Sequence, residues 1–346
     1  MLPKERFEAV VNGQKPDRFP MWFGGDPETL DNIGDYLGTN DHDKTLEALG
    51  IDFRTFRPEY TGPELSTYDD GSWETFWGIR RKGEYYGQAV THPLQNVESL
   101  EDVKRYDWPR QENWSVDHMK DQITEYSDYA IIGGSWSPFF HSATDLLGFE
   151  TYLTSMVTSP EIVKEVTNRC FRFYYVLSKR AFEKAGSDID LFFIGNDFGG
   201  QDGLLFSPQL WSKFIRGPLQ KFVDLAHSYD AKFALHSCGD VSEIIPDLIE
   251  MGVDILNPIQ ITAGGMNPSK LVQEHDDSLV FFGGIDEKEV LRQGSRAEVK
   301  EETRRIIDLL GTYNKYIVAP SHDYLLPDIP AENIASMYEE ARNCLI

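Results

Sequence analysis

The residues best equipped for chemistry in this sequence stand together in His236-Ser237-Cys238-Gly239. Residues i and i+2 of an extended chain face one side. An imidazole and a thiol are therefore placed to hold one metal ion, and a nitrogen–sulfur pair suits zinc. The plainer alternative is a half-buried histidine beside a small hydrophobic cysteine. Two donors do not complete a site; His322 is the expected third and Asp286 the expected fourth. Asp197, in Asn196-Asp197-Phe198-Gly199-Gly200, offers a carboxylate for hydrogen bonding to substrate or to a ligand histidine, or else caps its turn. Gln260 and His141 are further candidates for a catalytic role, although His141 follows Pro138-Phe139-Phe140 and also suits packing against those rings. Trp22, Glu59, Trp136, Gln201 and Tyr324 are expected to line a substrate pocket.

These candidates share one property: each lies near or after the end of an expected strand. The runs Leu191–Gly195, Lys232–Leu235, Ile255–Pro258, Leu279–Gly283 and Tyr316–Ala319 read as buried parallel strands. Between them lie helices with legible ends. Ser159-Pro160-Glu161 opens one that stops near Gly186, and Ser207-Pro208 opens another that runs toward Ser228. Asp240 precedes Val241–Met251, and Ser295 precedes Arg296–Leu310, with Gly252 and Gly311 as stops. Asn267-Pro268 and Pro330-Ala331 open two more.

The first half adds Phe19–Phe23, Asp52–Arg57 and Ala130–Gly133 as strands, with His42–Leu49 as a helix. Eight strand starts with helices between them predict a (β/α)8 barrel, an α/β fold, as one domain over 1–346. An N-terminal helix precedes it, and an aromatic-rich elaboration at about 61–115, with a hairpin at Ile79–Val90, is expected to cover one end. In such a barrel the site lies where strands end, which selects the candidates above together with Arg57, Asp240 and Asp323. A dinucleotide or P-loop fold is disfavoured, because neither G-x-G-x-x-G nor G-x-x-x-x-G-K-[ST] occurs.

Composition narrows the partners. With 33 basic and 57 acidic residues the net charge is −24, which repels nucleic acid and anionic membrane. No apolar run reaches the ~20 residues of a spanning helix, and the N-terminus has no signal-peptide core. Three scattered cysteines, Cys170, Cys238 and Cys344, fit a reducing cytoplasm better than a disulfide framework. A homodimer stays open.

Several stretches together resemble the uroporphyrinogen decarboxylase-like superfamily. They are Lys4–Pro20 (KERFEAVVNGQKPDRFP), Asn196–Pro208 (NDFGGQDGLLFSP), Phe233–Gly239 (FALHSCG), Val253–Gln260 (VDILNPIQ), Phe281–Asp286 (FFGGID) and Ala319–Asn333 (APSHDYLLPDIPAEN). The resemblance spans nearly the whole chain in order and implies the same (β/α)8 barrel. True uroporphyrinogen decarboxylases carry an arginine-bearing R-Q-A-G-R segment after the first strand; here Met21–Asp26 reads MWFGGD, without arginine. An acidic chain lacking that clamp is a poor host for an octa-anion.

The resemblance is closer to the cobalamin-dependent methyltransferases. It implies zinc bound by His236 and Cys238, with His322 at the position where that branch usually has cysteine. Another subset carries E-x14-E-x20-H, which Asp286, Glu301 and His322 match with Asp for the first Glu. The implied reaction moves a methyl group from a small methylated substrate, a methoxylated aromatic or a methylamine, to cobalamin. The chain has no D-x-H-x-x-G motif, so the corrinoid is expected on a separate protein. The competing expectations are a metal-free decarboxylase acting on a small carboxylate and a non-catalytic small-molecule-binding barrel.

Overall fold

The computed structural model describes the chain except positions 276, 323, 345 and 346. Seven parallel strands form its central sheet, each H-bonded to the next in chain order: β2 (Phe53–Thr55), β3 (Ala130–Trp136), β4 (Leu191–Gly195), β5 (Lys232–His236), β6 (Ile255–Asn257), β7 (Val280–Phe282) and β8 (Tyr316–Ile317). The eighth member, β1, is the bridge at Met21, parallel to Val318. Trp22 N–H donates to the Val318 carbonyl at 3.1 Å, while Asp52 N–H donates to the Met21 carbonyl at 2.9 Å. This short segment therefore joins the last strand to the second and closes the barrel, as the eight strand starts predict.

Closure is fixed at the N-terminal end by charge. The Asp52 carboxylate is fully buried. It accepts from Arg18 at 2.6 Å, Arg6 at 3.0 Å and the Met21 N–H at 2.8 Å. Arg6 lies on the N-terminal helix Pro3–Val11, whose Phe7 packs edge-on against Phe53 at 5.5 Å. Buried charge with matched donors belongs to the stability face of such a barrel.

Local chemistry explains the helices around it. Ser295 caps Arg296–Leu310 through a capping box with Glu298, and Ser207 caps the helix that begins at Pro208. Pro160–Ala185 and His42–Leu49 occupy the expected spans. Gly252, at φ +87°, ends Ile245–Met251 in the left-handed conformation that glycine adopts without strain.

The aromatic elaboration departs from expectation. Its hairpin is present, with Arg80–Lys82 pairing Gln88–Ala89 and Trp73–Glu74 as a third strand. Its large rings, however, turn away from the barrel mouth. Phe76, Trp77 and Trp114 pack against Phe173 of the outer helix at 5.6, 5.2 and 6.2 Å, and Trp77 also meets Tyr174. Most of these aromatics thus form a small core of their own, as large apolar rings do when a neighbouring helix offers a groove. The hairpin tip reaches the mouth loops, where Tyr86 meets Tyr324 at 5.7 Å.

Candidate functional site

The registers of β3 to β6 set Trp136, Gly195, His236 and Asn257 side by side at the C-terminal ends of four adjacent strands. Gly195 matters because it has no side chain: a Cβ there would lie 2.7 Å from the Trp136 ring. Trp136 therefore crosses its neighbour strand and meets the His236 imidazole with ring centroids 4.5 Å apart. Phe193 packs beside both rings, 6.2 Å from His236 and stacked on Trp136 at 6.4 Å. Trp22 lies beneath, stacked on Phe193 at 6.2 Å and edge-on to Phe282 at 5.3 Å. Trp22 is thus buried under the row, and Trp136, 43% exposed, borders it.

Three donor atoms converge on the row. His236 Nε2 lies 3.2 Å from Asp197 Oδ1 and 3.4 Å from Cys238 Sγ. Asp197, His236 and Cys238 present ligand atoms all within 4.8 Å of one another. The loops after β4 and β5 make this approach possible through glycine. Gly239 adopts φ +83°, and its Cβ would stand 2.4 Å from the Gly199 backbone. With both side chains absent, Cys238 N–H reaches Asp197 Oδ1 at 2.8 Å.

Other candidates hold this arrangement from behind. Gln260 Oε1 accepts from Gly239 N–H at 2.7 Å and pins the turn after Cys238. His141, on the helix Phe140–Leu147, places Nε2 3.6 Å from Asp197 Oδ2 and accepts from the Asp197 N–H at 3.3 Å. Its Nδ1 meets Ser137 Oγ at 2.9 Å. Ser137 holds the uncommon left-handed φ of +55°, the kind of local strain found where structure is arranged for a site. His236 Nδ1 lies 2.7 Å from Asn257 Oδ1, with both residues buried.

Electrostatics follows from this packing. Burial pushes the Asp197 carboxyl up, but the hydrogen bond and charge of His236, the charge of His141 and the Cys238 N–H outweigh it and hold it well below the carboxylate range. Burial likewise raises the Cys238 thiol, and His236 and His322 more than reverse that, leaving it lowered. His322 is raised by its hydrogen bond to Cys238, against burial, with help from the Cys238 and Glu287 charges. Burial lowers His141.

The remaining candidates fall as follows. His322 is half-exposed and outside the three-donor cluster; it acts electrostatically on Cys238 and sets Nδ1 3.5 Å from the buried Glu287 carboxylate. Asp286 is not among the clustered donors. Its carboxylate accepts from Lys288 N–H at 2.8 Å and Glu289 N–H at 3.1 Å, so it caps the helical turn after β7. Glu301 is exposed on the outer helix Arg296–Leu310, so the E-x14-E-x20-H spacing does not gather one ligand set. Glu59 is exposed in a two-residue strand paired with Trp114–Ser115, 3.9 Å from His118, away from the row. Gln201 donates to the Thr262 carbonyl on an exposed loop. Tyr324 donates to Asp26 at 3.1 Å, and burial together with Asp26 pushes its phenol up to about 12. Asp323 lies outside the described residues.

Asn257, Ser137 and Glu287 were not among the sequence candidates. Asn257 ends β6, in VDILNPIQ, and Glu287 opens the helical turn after β7, directly after FFGGID.

The sequence profile of uroporphyrinogen decarboxylase (URO-D) matches residues 83–344. The chain belongs to that family. The fold of this URO-D family member is also that of a methyltransferase from Methanosarcina mazei, which it matches with a TM-score of 0.69 at 17% identity, covering 99% of this chain and 98% of the other. Two weaker likenesses are to a malate synthase lead(II) complex from Haloferax volcanii (TM-score 0.34, 12% identity, 66% and 58% covered) and a 3-keto-D-glucoside 4-epimerase from E. coli (0.36, 11%, 66% and 88%). No curated protein matches the chain. Among the described residues of this URO-D family member, no helix is long and apolar enough to cross a membrane.

Proposed function

We propose that this URO-D family member is a methyltransferase whose barrel mouth holds one zinc ion, and that it moves a methyl group from a small methylated substrate to a corrinoid carried by a separate protein. A methoxylated aromatic or a methylamine fits as donor. The observation that carries the reading is the convergence of Cys238 Sγ, His236 Nε2 and the Asp197 carboxylate at the strand ends. Sulfur, imidazole nitrogen and carboxylate oxygen are zinc's usual donors. Donors bound to zinc at about 2.0–2.3 Å stand roughly 3.5 Å apart in a tetrahedron; His236 Nε2 has Asp197 Oδ1 at 3.2 Å and Cys238 Sγ at 3.4 Å. The donor set therefore fits the ion.

In this reading His236, Cys238 and His322 hold the metal, with Asp197, water or substrate in the remaining position. Bound zinc would supply a Lewis acid that takes up the electron pair left on the heteroatom when its methyl group passes to the corrinoid. Around it the chain does the rest. Asp197 orients His236 and Cys238 together, Gln260 keeps the Gly239 turn in place, and His141 backs Asp197. The exposed face of Trp136 supplies an apolar wall for the substrate. The absence of arginine in Met21–Asp26 argues against gripping an octa-carboxylate porphyrinogen.

The test is metal analysis of the purified protein, then incubation with reduced cobalamin and a panel of methyl donors, followed by visible spectroscopy. One zinc per chain and methylcobalamin formation are expected. His236→Ala and Cys238→Ala should each lose the metal with the barrel folded. Carbon dioxide release without methylcobalamin would replace the reading with a decarboxylase, and ligand retention without turnover with a binding barrel.

A further inference from the structure

We infer that Asn257 is a positioning residue that fixes the proton of His236 on Nδ1 and thereby presents Nε2 to Asp197 and Cys238. His236 and Asn257 are register partners on β5 and β6, so their side chains leave adjacent strands at the same height. His236 is 1% and Asn257 0% exposed. His236 Nδ1 meets Asn257 Oδ1 at 2.7 Å. An amide oxygen only accepts, so the nitrogen facing it carries a proton. The stacked pair Trp136 and Phe193 packs against the imidazole, at 4.5 and 6.2 Å, and opposes its rotation. Asn257 is itself held through its backbone, whose carbonyl accepts from Ser237 N–H at 2.7 Å.

The consequence concerns the other ring nitrogen. Neutral imidazole has one donor and one acceptor nitrogen, and its partner decides which is which. With Nδ1 occupied as donor, Nε2 is the nitrogen aimed at Asp197 Oδ1 (3.2 Å) and Cys238 Sγ (3.4 Å). Without a cation Asp197 accepts from Nε2 (3.2 Å); a cation placed among these three atoms takes the place of that one proton and then meets a lone pair on each, with the Nδ1 proton retained. With the opposite tautomer it would meet a proton. A partner on the far nitrogen of a ligand histidine sets tautomer and ring orientation, and its loss costs about 10–100-fold in metal affinity.

The tautomer claim stands by itself, while the consequence for metal affinity rests on the zinc reading above. The test uses full-length protein with 15N-labelled histidine, metal-free and zinc-loaded, and assigns the His236 ring nitrogens by long-range 1H–15N correlation across pH. A proton on Nδ1 in every folded state is expected; neutral His236 protonated on Nε2 would overturn the inference. Asn257→Leu should release the ring to the Nε2–H tautomer and weaken zinc binding, read by chelator competition, about 10–100-fold. Asn257→Asp, isosteric and still an acceptor, should keep both the tautomer and the affinity. Loss of affinity in Asn257→Asp equal to that in Asn257→Leu would show a merely structural role and overturn it. If the wild-type chain binds no zinc, the metal reading falls and the tautomer of wild type and Asn257→Asp still decides this inference.

Discussion

Asp197 and Cys238 are joined by a backbone hydrogen bond across two loops: the Cys238 N–H donates to Asp197 Oδ1 at 2.8 Å. The same oxygen lies 3.2 Å from His236 Nε2. One carboxylate therefore sets the position of a sulfur and faces an imidazole at once. This is more than turn capping, the simpler role open to an aspartate before two glycines. Asp197→Asn keeps an acceptor for the Cys238 N–H and removes the charge. Turnover should fall by about 10–100-fold, the scale for lost supporting partners of a site, with the thermal midpoint little changed. Near-wild-type turnover in steady-state assays would restrict Asp197 to the turn.

Asp197 also gives the fold an acid sensitivity. Its carboxyl is held well below the usual range, against burial, by His236, His141 and the Cys238 N–H. A group whose folded pKa is depressed contributes stability above its unfolded value, about 3.9 for Asp, and that contribution is lost as pH falls through the folded value. Urea unfolding of the metal-free protein should therefore show falling stability below about pH 4. Asp197→Asn should flatten that slope; an unchanged slope would assign the acid sensitivity elsewhere.

The three cysteines should differ in reactivity. The thiolate is the nucleophile. Burial raises Cys170 far above the normal thiol range, and burial with Glu340 raises Cys344, whereas His236 and His322 lower Cys238 against its burial. Iodoacetamide at neutral pH should label Cys238 first in the metal-free protein, as read by peptide mass spectrometry. Zinc should protect it. Labelling of Cys344 ahead of Cys238 would contradict the electrostatic picture.

The parts of the molecule legible in the sequence are those governed by local rules. Leu191–Gly195 is one apolar run in a strand buried along its length, and Ser295-x-x-Glu298 is a capping box that needs nothing from the rest of the chain. The helix Pro27–Leu37, absent from the expected helices, also carries a local start signal, an Asp26 cap with Pro27 at the first position. What is not legible depends on which way a residue faces once strands twist into a barrel. Asp286 and Glu287 are neighbours with opposite fates: the first turns back to cap its own backbone, the second meets His322. Asn257 and Gln260 both follow apolar residues, yet register with His236 gives Asn257 the contact with the imidazole. The aromatic elaboration is visible as composition, while the packing of its rings on Phe173 and Tyr174 of Pro160–Ala185 is a tertiary fact.

Gly239 tests how tightly the two loops must meet. Its φ of +83° disfavours any side chain, and a Cβ would come within 2.4 Å of the Gly199 carbonyl carbon. Gly239→Ala should cost about 1–3 kcal/mol from backbone strain, and the forced separation should lengthen the Asp197–Cys238 contact. Denaturant titration reads the stability and metal stoichiometry the site. Wild-type values for both would mean that the loops separate freely and that the glycine pair is incidental.

Asp286 separates a ligand from a cap. Its carboxylate accepts from the Lys288 and Glu289 N–H groups at 2.8 and 3.1 Å. Removing a cap of this kind costs about 0.5–2 kcal/mol, whereas removing a metal ligand empties or weakens the site. Asp286→Ala should therefore lower stability by that amount and leave zinc per chain unchanged, while Glu301→Ala, on an exposed helix face, should change neither. The turn that Asp286 caps also carries Glu287, whose carboxylate is 3.5 Å from His322 Nδ1. Loosening the cap should consequently reach His322, and a modest loss of turnover at full metal occupancy is expected in Asp286→Ala. Loss of the metal itself in that variant, at unchanged stability, would instead make Asp286 a ligand and require the turn after β7 to rearrange around the ion.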